Sequence, residues 1–300
     1  MTNNTPVTLS VYAMATRFEL ALYGDNHSRL RSIGEEALGE IERLDVQLSF
    51  YRSESEIRWI NSHAFAEPMK VEPRLFRLLQ RCADFTEQTD GAFDITIAPL
   101  MRTWGFVSDT GRVPTQAELE AAQAAVGMKH VHLDKEQYTI QFDCRGVLLD
   151  LGAVGKGYAV EQAVNILKEN GVTSALLHGG TSTIYAIGNP PDQTAWRVAI
   201  RNPADESKPL DVVELQNSSL SVSAVHGKSF TDGSRIFGHI IDPRTGLPTG
   251  GVLPAAVIGP CPTECDALST ALLVLGEPGL SLIAERFSGY SGIVAGRADS

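Results

Sequence analysis

The sequence predicts an α+β chain built from mixed or antiparallel sheets with interspersed helices. Three observations lead there: strand-like apolar runs dominate, several lie close enough to pair as hairpins, and helical patterns fall between groups of strands. No internal repeat or low-complexity linker divides the chain. Residues 1–300 are therefore expected as one unit with two lobes, with residues 1–6 and 297–300 as flexible ends.

In chain order, residues 7–12 and 17–23 alternate and carry β-branched or aromatic side chains, as paired strands do. The small-residue break between them, Ala13-Met14-Ala15-Thr16, could border a ligand. From residue 28 to 47, Leu30, Ile33, Ala37, Ile41 and Leu44 recur at helical spacing, with Asn26 or Ser28 as the N-cap. The segment 48–56 is polar apart from two adjacent aromatics. Tyr51 is one of them, and a single aromatic is ordinarily core.

Residues 74–89 form a second amphipathic helix, ended by Asp90-Gly91. Asp94 then sits in an apolar stretch, where a carboxylate must be paired, hydrogen-bonded or protonated. It could equally cap local backbone N–H groups. Thr115-Gln116-Ala117-Glu118 is a capping box opening a helix to residue 126. Residues 129–134 and 138–144 read as a hairpin and 146–151 as a third strand.

That strand delivers the chain to Asp150-Leu151-Gly152-Ala153-Val154-Gly155-Lys156-Gly157-Tyr158-Ala159, after which a helix runs to residue 170 and stops at Gly171. A glycine loop opening a helix points free N–H groups outward, which favours an anion. With Lys156 and Asp150 flanking it, a phosphate bound with a metal is the natural ligand. The spacing matches neither the nucleotidase loop, since Gly157 stands where Ser or Thr should be, nor the dinucleotide fingerprint. A tight turn packing a helix onto a strand explains the glycines as well.

Residues 174–177 form a strand ending at His178-Gly179-Gly180-Thr181-Ser182-Thr183. Ile184 stands where a nucleophile elbow needs glycine, which argues against hydrolase serine chemistry. Further strands are expected at 184–188, 196–201, 210–215, 219–225, 252–258 and 292–296, with a loop at 202–209. Residues 238–242 read as a short strand entering an Asp-Pro-x-x-Gly turn, and place His239 at a strand start, where histidine is more often structural. Residues 264–276 are helical and put Asp266 and Thr270 on one face. Carboxylate and hydroxyl are hard oxygen ligands suited to magnesium. A helix-dipole aspartate and a self-bonded threonine explain them equally.

Charge and composition narrow the function. A hydrophobic share of 43% and a charged share of 20% are those of a globular chain. The net charge of −11, without any Lys/Arg run, offers no footprint for nucleic acid or an anionic membrane. No stretch approaches the roughly 20 apolar residues of a membrane span. The first residues lack a basic start, an apolar run and a lipobox cysteine, so a cytoplasmic location is expected. Cys261 and Cys265 have no second pair to complete a zinc site, and free thiols are the simpler reading.

Taken together, the motifs line up in one order. Met-Ala-Thr-x-Phe from Met14, Leu-Ser-x-Tyr from Leu48 and Gly-Ala-Phe-Asp-Ile-Thr from Gly91 come first. The glycine loop from Asp150, His-Ile-Ile-Asp-Pro-x-Thr-Gly from His239 and Asp-Ala-Leu-Ser-Thr-Ala from Asp266 follow. From about residue 10 to 295 the chain resembles the ApbE family, the FAD:protein FMN transferases. The resemblance implies a T-fold-related architecture of mixed or antiparallel sheets with an FAD site between two lobes. It implies magnesium-dependent cleavage of the FAD pyrophosphate, attachment of FMN through a phosphoester to a threonine of an acceptor flavoprotein, and release of AMP. FAD hydrolysis to FMN and AMP, or FAD binding without catalysis, are the alternatives.

Carried over residue by residue, the resemblance implies that Met14, Tyr51, Ala92, Phe93 and Asp94 line the flavin side of the pocket. Asp150, Lys156 and Ile240 would also contact FAD. Magnesium would be held by the Ala153 carbonyl, Asp266 and Thr270. Asp242 would order the metal or substrate shell, and His239 would steer the acceptor hydroxyl's proton. Three positions depart from the family pattern, Ala15, Thr181 and Ala224, where glycine, aspartate and glycine are usual. They imply a divergent member with its own partner.

Overall fold

The computed structural model describes residues 5–202, 205, 207–225, 229–233, 235–250 and 254–295. Strands β1 (Val7–Ala13) and β2 (Thr16–Leu22) form a hairpin. Its two-residue turn has positive φ at Met14 (49°) and Ala15 (58°), the type I′ geometry that matches strand twist. Helix α1 (His27–Leu48) starts where the Asn26 side chain accepts the Arg29 N–H at 3.0 Å. Then come α2 (Glu56–His63), β3 (Met69–Lys70), α3 (Pro73–Gln88), α4 (Ala98–Thr103) and α5 (Gln116–Gln123). The α5 capping box closes in both directions between Thr115 and Glu118.

A hairpin of β4 (Val131–Asp134) and β5 (Thr139–Phe142) precedes α6 (Gly155–Glu169). Strands β6 (Ala175–Gly179), β7 (Thr183–Ile187), β8 (Trp196–Ile200), β9 (Asp211–Leu215) and β10 (Ser218–Ser223) follow. The last elements are β11 (Ser229–Asp232), β12 (Arg235–Gly238), β13 (Ala255–Gly259), α7 (Pro262–Leu275), α8 (Pro278–Arg286) and β14 (Ser291–Val294).

The main sheet has seven strands in the order β1-β2-β6-β7-β10-β13-β14, and every pairing in it is antiparallel. Both faces of its middle strands are covered, so these alternate between two sets of apolar partners, while the edge strand β1 turns Thr8, Ser10 and Tyr12 to solvent. Leu20, Leu22, Leu177, Tyr185 and Val257 belong to the largest core, shared with α1, α6 and α7. Leu176, Ile184, Leu220 and Ala256 point the other way and pack with Trp196, Ile200, Val213 and Leu215 of the β8–β9 hairpin. A third cluster joins Trp104 and Phe106 to Phe230, Phe237 and Ile241. Two smaller sheets complete the description, β3-β5-β4 and β11-β12.

The α+β class with antiparallel sheets is as expected. Two expected strands are absent. Residues 146–151 form no strand, and the Asn61 side chain takes the part of a strand neighbour: it accepts the Leu149 N–H at 2.7 Å and donates to the Leu149 carbonyl at 2.9 Å. Asp150 N–H goes to the Ile95 carbonyl at 2.7 Å. Within residues 238–242, only an isolated bridge from Ile241 to Pro248 forms, and the strand proper is β12, upstream. Helices α2, α4 and α8 and strands β3, β11 and β12 had no sequence expectation. Parts of the expected flexible ends, the 202–209 loop and the strands at 252–258 and 292–296 lie outside the described residues. Among the described residues, no helix is long and apolar enough to cross a membrane.

Candidate active site

A cavity of about 870 Å³ opens where the three apolar clusters meet, at the end of the main sheet bearing the β6–β7 turn and the C-terminus of β10. Each cluster contributes to its wall, with Phe93 from the first, Leu220 from the second and Ile241 from the third. Eleven of the thirteen expected residues line it: Tyr51, Ala92, Phe93, Asp94, Asp150, Ala153, Lys156, His239, Ile240, Asp266 and Thr270. Met14 and Asp242 are not among the lining residues. Met14 lies in the β1–β2 turn, where its N–H donates to Asp45 at 2.8 Å. Asp242 is spent on its own turn. It accepts the Arg244 N–H at 2.9 Å and the Arg244 guanidinium at 2.9 and 2.8 Å. It lines a separate hollow beside the end of α7.

Asp266 is the deepest charge of the site, 4% exposed. Helix α6 explains why a carboxylate is tolerated there. The first N–H groups of a helix lack intrahelical partners, and Gly157 N–H donates to Asp266 Oδ2 at 2.8 Å from the first turn of α6. Asp266 thus caps a helix other than its own, at the end whose dipole favours negative charge. The Thr183 hydroxyl approaches Oδ1 at 3.4 Å and in turn accepts from Ser221 at 3.2 Å. Burial raises the Asp266 pKa, while Lys156 and the Gly157 N–H pull against that shift. Gly157 is required by contact: a Cβ there would stand 2.4 Å from the Pro262 carbonyl oxygen and 2.6 Å from Asp266 Cβ.

Thr270 lies one turn on from Asp266 along α7. Its hydroxyl is 3.0 Å from Ser223 Oγ and 3.4 Å from the Asp266 carbonyl. Lys156 reaches the Gly152 carbonyl at 3.3 Å, and Asp150 accepts the Gly152 N–H at 2.8 Å, which folds the glycine loop across the mouth of α6. At the aromatic end, Asp94 is 9% exposed and accepts Thr96 N–H (2.8 Å), Thr96 Oγ1–H (2.6 Å) and Met128 N–H (3.2 Å). Burial raises its pKa in opposition to those bonds. The capping role open to Asp94 in the sequence is therefore filled, and the residue still faces the cavity. Tyr51 is 61% exposed and packs edge-on against Phe50.

Asp266, Thr270 and Ala153 all line the cavity, and a carboxylate, a hydroxyl and a backbone carbonyl are hard oxygen donors. Among the described residues no group of three or more His, Cys, Asp or Glu could hold a metal. A single carboxylate with neutral oxygens is the protein share that magnesium takes when phosphates and water supply its other ligands. The donor set therefore fits that ion.

Sequence reasoning missed part of the wall. Arg197 and Arg201, at the two ends of β8, bring positive charge to a chain whose net charge is −11. His178 and Ser223 line it too. Ser223 immediately precedes Ala224, one of the departures already singled out, but β8 carries no motif, and only its pairing into the β8–β9 hairpin over the sheet brings its arginines to the site.

The sequence profile of the ApbE family matches residues 14–294. The FAD:protein FMN transferase of Escherichia coli K12 is 29% identical over 294 residues, covering 95% of this chain and 83% of that protein. That of Treponema pallidum is 30% identical over 275 residues, covering 86% and 75%. Among solved structures, the ApbE protein of Thermotoga maritima superposes with a TM-score of 0.87 at 27% identity, covering 97% of this chain and 94% of that one. The apo flavinyl transferase ApbE of Pseudomonas stutzeri gives 0.83 at 28% identity, covering 97% and 95%. A sequence match that takes in every expected site residue, joined to a common fold over nearly the whole length, establishes that this chain belongs to the ApbE family.

Proposed function

We propose that the protein is a magnesium-dependent FAD:protein FMN transferase acting as one unit over residues 1–300. The observation that carries the reading is the buried Asp266 carboxylate, held on the first turn of α6, beside Lys156 and Thr270 in a cavity of about 870 Å³. That is room for a dinucleotide-sized ligand, with its charges grouped where a diphosphate would lie. The names of the relatives support the same substrate and reaction class.

Asp266, Thr270 and the Ala153 carbonyl would hold the magnesium ion. When bound, the ion neutralises charge on the diphosphate and on the departing oxygen. Lys156 and the N-terminal end of α6 bind the diphosphate as fixed positive charge. Asp150 shapes the glycine loop around it. Tyr51, Ala92, Phe93, Asp94 and Ile240 form the flavin side, with Met14 supporting that side from the β1–β2 turn. Asp242 orders the turn that presents His239. His239 accepts the proton of the acceptor threonine, for which it must come within about 3 Å of that hydroxyl. The threonine oxygen bonds to the FMN phosphorus, the bond from that phosphorus to the AMP oxygen breaks, and AMP leaves with the electron pair.

The test follows AMP and FMN by chromatography as magnesium is titrated with FAD, with and without an acceptor domain that exposes a threonine. Flavin fluorescence remaining on the denatured acceptor is the expected result. AMP with free FMN and an unlabelled acceptor would identify a pyrophosphatase. FAD binding without any AMP would leave only a flavin-binding protein.

A further inference from the structure

Helices α6 and α7 carry the polar groups at one end of the site: Lys156 and the Gly157 N–H on one, Asp266 and Thr270 on the other. Their crossing decides whether these groups face one another. Gly157 marks a point of close approach. One turn further along α6, Glu161 lies on the same face as Gly157 and meets the residues that open α7. The Thr263 hydroxyl donates to Glu161 Oε2, and Cys261 Sγ lies 3.2 Å from the same oxygen.

Arg81 of α3 closes this second contact. Its Nη1 donates to Glu161 Oε1 at 3.2 Å and Oε2 at 3.0 Å. Its Nη2 reaches Cys261 Sγ at 3.1 Å and lies 3.9 Å from Glu264 Oε1. Glu264 is held in turn by the Tyr290 hydroxyl. The Arg81 and Glu161 side chains are only 29% and 21% exposed. Burial and the Glu161 charge push the Cys261 thiol up to about 11, so it stays protonated and donates to Glu161. None of these residues lines the cavity, so the cluster touches no reacting atom. A planar guanidinium that bonds Glu161 through one nitrogen and Cys261 through the other fixes distance and direction together, which a single ammonium nitrogen cannot do.

We infer that Arg81 is a positioning residue for the site: through Glu161, Thr263 and Cys261 it sets the crossing of α6 and α7, and so where the Asp266 carboxylate stands relative to Thr270 and Lys156. The inference rests on the proposal that Asp266 and Thr270 hold a divalent cation.

The experiment titrates Mn²⁺ into the metal-free full chain, reading free ion by electron paramagnetic resonance, and measures FAD affinity separately by flavin fluorescence without metal. In Arg81→Met, Mn²⁺ affinity is expected to fall about tenfold or more, the range seen when an outer partner of a metal ligand is lost. FAD affinity should change less than about twofold, Arg81→Lys should lie between, and Thr263→Val should move the same way by less. A folded Arg81→Met that binds Mn²⁺ like the wild type overturns the inference. So does a parallel loss of FAD and Mn²⁺ affinity, which is general loosening. If Arg81→Met does not fold, Arg81→Lys and Thr263→Val decide: unchanged Mn²⁺ affinity in both overturns the inference, and a shift in both with FAD affinity intact supports it. A wild-type chain that binds no Mn²⁺ and releases no AMP overturns the functional proposal as well, and is told apart by failing before any variant is made.

Discussion

Gly157→Ala is the substitution whose effect follows most directly from the coordinates. The new methyl carbon would sit 2.4 Å from the Pro262 carbonyl oxygen, 2.6 Å from Asp266 Cβ and 3.0 Å from the Pro262 carbonyl carbon. Favourable carbon contacts lie at roughly 3.5–4.0 Å, so α6 and α7 must part by about 1 Å. Overpacking of this kind costs about 1–3 kcal/mol. Alanine returns up to about 1 kcal/mol through its better helix propensity. A net loss of about 1–2 kcal/mol corresponds to a melting temperature lower by about 2–8 °C in a chain of this size. The larger effect falls on the site. The 2.8 Å bond from Gly157 N–H to Asp266 is made across the gap that opens, so the magnesium concentration for half-maximal AMP release should rise about tenfold. The assay pairs a thermal melt with that magnesium titration. A variant that melts at or above the wild-type temperature and keeps the same magnesium dependence would refute the claim that the glycine sets the helix contact.

Other consequences can be checked in the same assays. Asp266→Ala removes the one carboxylate of the donor set and should lower AMP release by more than about 100-fold while FAD still binds. Thr183→Val takes a hydroxyl from Asp266 and leaves the buried Ser221 hydroxyl without its acceptor. It should raise the magnesium requirement several-fold, and Thr183→Ser should restore it. Asn61→Ala strips both partners from Leu149 and should cost about 2–4 kcal/mol in a denaturant titration, against well under 1 kcal/mol if water replaces them. The Arg112 guanidinium, with the Thr115 bonds, holds the Glu118 carboxyl down to about 2. A depressed carboxyl stabilises above its unfolded value, near 4.3, and loses that contribution as pH falls toward the folded one. The melting difference between wild type and Glu118→Gln should therefore be present at pH 6, shrink below about pH 4 and vanish only below pH 2.

The legible parts of the fold were those in which local chemistry and tertiary packing agree. Leu30, Ile33, Ala37, Ile41 and Leu44 mark the buried face of α1, and all five are buried. The Thr115–Glu118 box, the N-cap at Asn26 and the stop at Gly171 are short-range devices and stand where the residues place them. What could not be read depended on distant partners. Val147-Leu148-Leu149 has strand composition, yet its hydrogen bonds go to a side chain 88 residues away. The spacing of Asp266 and Thr270 was visible as one helix face. That Asp266 caps another helix was not, because its partner Gly157 is 109 residues distant. Arg197 and Arg201 carried no signal at all, since their approach to the cavity depends on how the β8–β9 hairpin lies over the sheet. The Ala15 departure has a physical reading too. Its φ of 58° is one that glycine adopts freely and alanine at a cost of about 1–2 kcal/mol.

The order of the main sheet bears on when the protein can first work during its own synthesis. Strand β10 waits for β13 on one side, and α7 is made only after β13. The glycine loop and the first turn of α6 emerge more than a hundred residues before Asp266, and at roughly 5–20 residues per second the ribosome needs on the order of ten seconds to deliver it. Until then the first turn of α6 lacks its buried anion and the cavity lacks the Asp266 carboxylate. A nascent chain stalled before residue 266 should therefore hold most of its strands and still be inert toward FAD, so that catalysis switches on as one of the last events of folding.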